Sequence, residues 1–165
     1  MSITEHQITI RPIKQSDNKE LSNIIKNTLR EFGADRPGTV AHDPTTDTLF
    51  ELFRQQGSVY YVAEKDNKLV GGGGIFPTPG LPRHTCELVK MYLIKEARGL
   101  GLGRQLIQQS IDFAKEAGYE YVYLETMPEL KKALATYAKF GFKYLDAPLG
   151  NTGHFGCELW MKLKL

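Results

Sequence analysis

Between the apolar, strand-like segment Glu87-Leu88-Val89-Lys90-Met91-Tyr92-Leu93 and a long amphipathic stretch lies the run Arg98-Gly99-Leu100-Gly101-Leu102-Gly103-Arg104. Glycines at alternate positions let the main chain turn tightly and aim several N–H groups at one spot, where the positive end of the following helix dipole emerges. The run therefore demands a strand, a turn and a helix in that order. It predicts an anion site made of backbone. A glycine turn before a helix can equally be a plain connection, and the leading arginine and the apolar strand are what favour a ligand.

The rest of the chain supplies the partners such a unit needs. Ile8-Thr9-Ile10-Arg11 alternates as a strand, and Asp17, with Glu20 three residues on, reads as a helix N-cap. Leu21, Ile24, Ile25, Leu29 and Phe32 then share one helical face, and Gly33 is placed to end that helix. A polar loop, 33–44, precedes a short helix holding Leu49, Phe50 and Phe53 and ending near Gly57. Two β-rich segments, 59–64 and 68–70, flank Asp66-Asn67, a hairpin turn. Gly71 to Gly74 lack the Gly-Lys-Ser/Thr ending of a phosphate loop and predict a strand closely approached by its neighbours.

Beyond the proline-bearing loop 76–83 and the opening strand, Leu106, Ile107, Ser110, Ile111, Ala114 and Ala117 form the buried stripe of the long helix, with Gly118 as its cap. A buried strand, 121–125, follows. Thr126-Met127-Pro128-Glu129 reads as a capping box opening a last helix through Leu130, Ala133, Leu134, Tyr137 and Ala138 to Gly141. Strands near 142–145 and 157–163 flank a glycine-rich loop.

At 165 residues the chain suits one domain, 1–165, with a core of its own. The 21 Lys+Arg against 19 Asp+Glu leave a formal charge of +2, too balanced to predict nucleic-acid or membrane binding. Cys86 and Cys157 have neither disulfide-framework nor zinc spacing, and buried thiols are expected; no metal is expected. No apolar run approaches the ~20 residues of a membrane span, nor does the start resemble a signal peptide, so a cytoplasmic protein is expected.

Arg98-x-x-Gly101-x-Gly103, followed by Tyr137-x-Lys139-x-Gly141-Phe142 after helix and strand, resembles the two landmarks of the GCN5-related N-acetyltransferase family. The resemblance extends over the whole chain's plan. It implies an α/β (α+β) acyl-CoA N-acyltransferase-like fold, with a mixed, mostly antiparallel sheet of six to seven strands, about four helices, and a splayed strand pair holding acetyl-CoA. Backbone N–H groups of Arg98, Gly99, Leu100, Gly101, Leu102, Gly103 and Arg104 would take the pyrophosphate, and Met91, Tyr92 and Leu93 the pantetheine arm. A main-chain N–H near Met91 would polarise the thioester carbonyl. Leu130 stands where many members place a cofactor-binding asparagine, and Lys95 where a proline is common.

The implied reaction is direct transfer of acetyl from acetyl-CoA to the primary amine of a small molecule, an amino acid or other carboxylated amine. Its needs are a base for the ammonium proton and an acid for the departing thiolate. Tyr137 resembles the family's acid and Glu87 its strand-borne base; the alternatives are a core tyrosine, a carboxylate paired with Lys90 or Arg83, and a water chain as the base. Around Cys86 to Tyr92 and Gly150 to Glu158 the chain resembles a bacterial subgroup, and His154 would sit by the acceptor. The first helix and its loop normally wall the acceptor pocket, which points to Arg30, Phe32, Arg36 and His42, two arginines suiting a carboxylate. A homodimer is expected. The alternative is a non-catalytic acetyl-CoA-binding sensor or interaction module.

Overall fold

The structure, a computed structural model, describes residues 6–150 and 156–165. Among them, seven strands build one sheet: β1 (Ile8–Pro12), β2 (Val59–Lys65), β3 (Lys68–Phe76), β4 (Thr85–Leu93), β5 (Tyr121–Thr126), β6 (Lys143–Leu145) and β7 (Leu159–Lys164). The order across the sheet is β1-β2-β3-β4-β5-β7-β6. All neighbours are antiparallel except β4 and β5, which the long helix connects in parallel. Four α-helices accompany it, α1 (Asn18–Glu31), α2 (Leu49–Leu52), α3 (Leu102–Glu116) and α4 (Lys131–Phe140).

Alternation along the strands decides where the helices lie. Tyr60 and Val62 join Leu21, Ile25 and Leu29 of α1 in one core, whereas Ala63 and Val70 join Leu102 and Leu106 of α3 in another. Adjacent strand residues point to opposite faces, so α1 and α3 cover opposite sides of the sheet. The β2–β3 turn has positive φ at both Asp66 (52°) and Asn67 (65°), the backbone that a two-residue hairpin requires.

The four glycines of β3 are there because their neighbours occupy the space of a side chain. A Cβ on Gly72 would stand 2.6 Å from the ring of Tyr60, and one on Gly74 would overlap the carbonyl oxygen of Val59. Gly74→Ala is expected to cost about 3 kcal/mol, the upper part of the overpacking range, because backbone and not a movable side chain is in the way. A denaturant melt showing an unchanged midpoint would refute this.

Three local expectations are corrected. Thr126 does not open a capping box: it ends β5, paired with Leu159, and its carbonyl accepts from the Glu158 N–H, so the ladder claims it and α4 starts only at Lys131. Asp17 stands before α1 without capping it. Its carboxylate accepts from the Lys14 N–H at 2.7 Å and from Arg11 at 2.8 and 3.0 Å, contacts made outside the helix. The second helix stops at Leu52, well short of Gly57.

The feature that makes the site is a failure of pairing. β4 and β5 pair from Thr85↔Tyr121 to Glu87↔Tyr123 and then part, although β4 runs on to Leu93 and β5 to Thr126. The cause lies in β4, where the register against β3 jumps from Gly74↔Val89 to Gly72↔Tyr92 and Lys90 takes φ 53°. That extra residue is a β-bulge, which bends its strand away from the neighbour.

Candidate active site

Two cavities meet where the strands part. The larger, about 330 Å³, runs between the glycine loop, the 91–93 stretch of β4 and the first turns of α4. A smaller one of about 30 Å³ lies toward Glu87, Glu125 and Cys157. Met91, Tyr92, Leu130 and Tyr137 belong to the walls of both.

The mouth of the larger cavity is built from main chain. Gly99 and Gly101 have φ of 79° and 80°, a Cβ on either would meet nothing within 4 Å, and both line the larger cavity. Gly101 precedes α3, whose first N–H groups, those of Leu102, Gly103 and Arg104, have no carbonyl one turn back to bind. Donors, dipole and open space converge, which fits an anion. Leu100, at the outer side, is exposed.

Side-chain cations around this mouth divide the work. Arg98 donates from Nε and Nη2 to the Leu93 carbonyl at 3.1 and 2.9 Å, and from Nη1 and Nη2 to Glu31 at 2.6 and 3.0 Å. Its guanidinium also lies over the Phe32 ring, 4.9 Å from the centroid. The hydrogen bond from Arg98 pulls the Glu31 carboxyl below its usual range. Arg98 thus fastens the glycine loop to the end of β4 and to α1, while Arg104 and Lys132 stand on the cavity wall. Arg98→Ala is expected to weaken acetyl-CoA binding on the order of tenfold, the worth of one charge-assisted hydrogen bond, with a smaller change in turnover. Calorimetric titration against an unchanged dissociation constant would contradict it.

At the junction, Tyr137 is 6% exposed and meets Phe142 edge to face at 5.8 Å. Burial pushes its hydroxyl above the ordinary phenol range, so it holds its proton. Glu87, 3% exposed, lines the smaller cavity and accepts from Thr78 Oγ1 at 2.6 Å. Cys157 shares that wall as a thiol, which burial pushes up to about 12. At neutral pH almost none of it is thiolate.

Other candidate acceptor residues are placed elsewhere. Phe32 lines the larger cavity, under Arg98. Arg30 and His42 both turn to Asp35, at 3.5 and 2.7 Å, and Arg36 to Glu129 at 2.7 Å and Glu158 at 3.5 Å. None of those three is on the wall of either cavity. His154 lies outside the described residues. Leu130, which stands at the family's cofactor-binding asparagine position, lines both cavities, and Lys132 and Lys90 line one each without having been expected to face a ligand. The signal for Lys90 was a lysine inside an apolar strand.

A backbone anion cradle that shares a wall with a carboxylate-lined chamber suits an enzyme that moves a group from an anionic carrier to a second substrate, and known proteins narrow that class. Residues 25–142 match the model of the acetyltransferase (GNAT) family. The uncharacterized N-acetyltransferase YjgM of Escherichia coli is 39% identical over 166 residues, covering 99% of each chain. In structure, a GNAT-family acetyltransferase of Staphylococcus aureus superposes with a TM-score of 0.81 at 22% identity, over 96% of this chain and 99% of that one. YncA of Salmonella typhimurium, solved with acetyl-CoA, gives 0.73 at 17% identity over 95% and 93%. The chain belongs to the GNAT acetyltransferase family and is an N-acetyltransferase of that class. No helix among the described residues is long and apolar enough to cross a membrane.

Proposed function

We propose that the larger cavity takes acetyl-CoA and that the acetyl group passes directly to the primary amine of a small molecule entering from the Glu87 side. The observation that carries this reading is Tyr137, a protonated phenol on the wall common to both cavities. A purely sensing module has no use for an acid at that junction.

Acetyl-CoA supplies an acetyl thioester, activated for attack by a neutral amine. The chain's own groups do the rest. N–H groups of Leu102, Gly103 and Arg104 hold the pyrophosphate at the start of α3, with Arg104 and Lys132 beside it. The edge of β4 beyond Glu87, released from β5, offers the 91–93 backbone to the pantetheine amides, and at the bulge, where Lys90 and Met91 drop out of the register with β3, a main-chain N–H near Met91 would polarise the carbonyl. Glu87 Oε receives the ammonium proton, oriented by Thr78, and Tyr137 Oη releases a proton to the departing thiolate. Cys157, held as a thiol, is a poor nucleophile, which favours direct transfer over an acetyl-cysteine intermediate.

The test is release of free CoA from acetyl-CoA across a panel of amines and amino acids, followed by thiol detection. Turnover with at least one acceptor is expected. Tight acetyl-CoA binding with no thiol released by any acceptor would overturn the reading in favour of a sensor.

A further inference from the structure

Lys90 is a buried ammonium that the transfer chemistry above leaves without a task. Its side chain is 3% exposed, yet it lies on the wall of the smaller cavity, where it is the cation among the described residues. Burying an ammonium is costly unless anions compensate it. The compensation among the described residues is partial: Asp43 Oδ2 lies 3.4 Å from Nζ, at the long end of a hydrogen bond, and Glu87 adds charge support. An ammonium has three donors, and one long contact leaves it able to take further oxygen partners.

Both members of this pair are fixed in place. Asp43 Oδ1 accepts from the N–H and the hydroxyl of Thr45, at 2.9 and 2.7 Å, which pins the loop beyond α1. Lys90 sits at the bulge with φ 53°, a left-handed backbone that a side-chain-bearing residue adopts reluctantly, and its carbonyl accepts from Tyr60 Oη at 2.8 Å. Strain of this kind persists where the surroundings enforce it, and it gathers at binding sites. The arginines first suggested for an acceptor carboxylate are committed to Asp35, Glu129 and Glu158 and stand off the cavity.

We propose that the Lys90 ammonium binds the carboxylate of the acceptor, so that the acceptor is an α-amino acid lying with its amine toward Glu87 and its carboxylate toward Lys90. This rests on the acetyltransfer reading, whose base it uses. Glu87 and Lys90 lie on one strand and one cavity wall, so the chamber offers a negative and a positive group side by side, as the two ends of a zwitterion require. Burial pulls the Lys90 ammonium below its ordinary range while Asp43 and Glu87 support it, and a bound carboxylate would support it further. A plain amine or polyamine would instead find Lys90 repulsive and gain only from Glu87 and Glu125.

The experiment titrates the full chain, saturated with CoA, with each of the twenty amino acids, their amides and their decarboxylated amines, by calorimetry. At least one amino acid is expected to bind tenfold or more tighter than its own amide and amine, and Lys90→Met is expected to erase that preference. Lys90→Arg, which keeps the charge, should retain part of it. Binding of the amides or amines as tightly as the amino acids by the wild-type protein, which needs no variant to fold, overturns the proposal. Binding of none of the twenty, or an undiminished preference in Lys90→Met, overturns it as well. CoA release from acetyl-CoA without a carboxylate preference would sink the Lys90 assignment alone. A carboxylate preference without CoA release would sink the transfer reading and leave the Lys90 site standing.

Discussion

Tyr137→Phe lowers turnover by on the order of ten- to a thousandfold, the usual worth of a positioned acid, and leaves acetyl-CoA affinity nearly intact. The substitution removes one oxygen from a ring whose packing against Phe142 is retained, so the fold has little reason to respond. Because burial raises the phenol above its ordinary value of about 10, the acid form persists throughout the alkaline range in which the amine becomes neutral. Wild-type activity should therefore rise with pH and show no fall below about pH 10 traceable to this group. A pH profile of kcat/KM for both proteins checks this; equal turnover in the Phe variant would remove Tyr137 from the mechanism.

Gly101→Val raises the dissociation constant of acetyl-CoA by on the order of ten- to a hundredfold, equivalent to about 1.4–2.8 kcal/mol. No neighbour stands in the way of the new side chain, so the effect has two other sources. A φ of 80° is poorly tolerated by any L residue and worst by a β-branched one, costing on the order of 1–2 kcal/mol. Relaxing that φ would turn the N–H groups of the loop away from the anion, while an unrelaxed Val would add bulk at a residue that lines the larger cavity. The two outcomes give the same direction. Turnover at saturating acetyl-CoA should stay near wild type, since Glu87 and Tyr137 are untouched. Isothermal titration with acetyl-CoA and with CoA measures the affinity, and an unchanged value would mean that the loop is a connection and not a cradle.

What could be read from the chain, and what could not, separates along physical lines. The glycine loop was legible because positive φ leaves a residue signature, and α1 and α3 because an apolar stripe with period 3.6 needs no knowledge of its partner. Thr126 misled because a capping box and a strand end look alike until the second strand is present: β7, far along the chain, takes the Thr126 backbone into its ladder. Arg30 and Arg36 were credible as carboxylate ligands by type. Only the fold reveals that Asp35, Glu129 and Glu158 hold them. Lys90 was hidden for a different reason. Strand alternation assigns a face by counting, and a bulge breaks the count at the residue concerned.

The wall formed by Met91, Tyr92, Leu130 and Tyr137 belongs to both cavities, so a donor and an acceptor placed as proposed would touch the same side chains. Two ligands that press on one partition are thermodynamically coupled, and the coupling is symmetrical: the factor by which a donor analogue tightens or loosens an acceptor is the factor by which that acceptor alters the donor. Direct transfer, as proposed, would also require both molecules to be present together. Initial rates plotted against one substrate at several levels of the other should then give lines that intersect, where a covalent relay through the protein would give parallel ones.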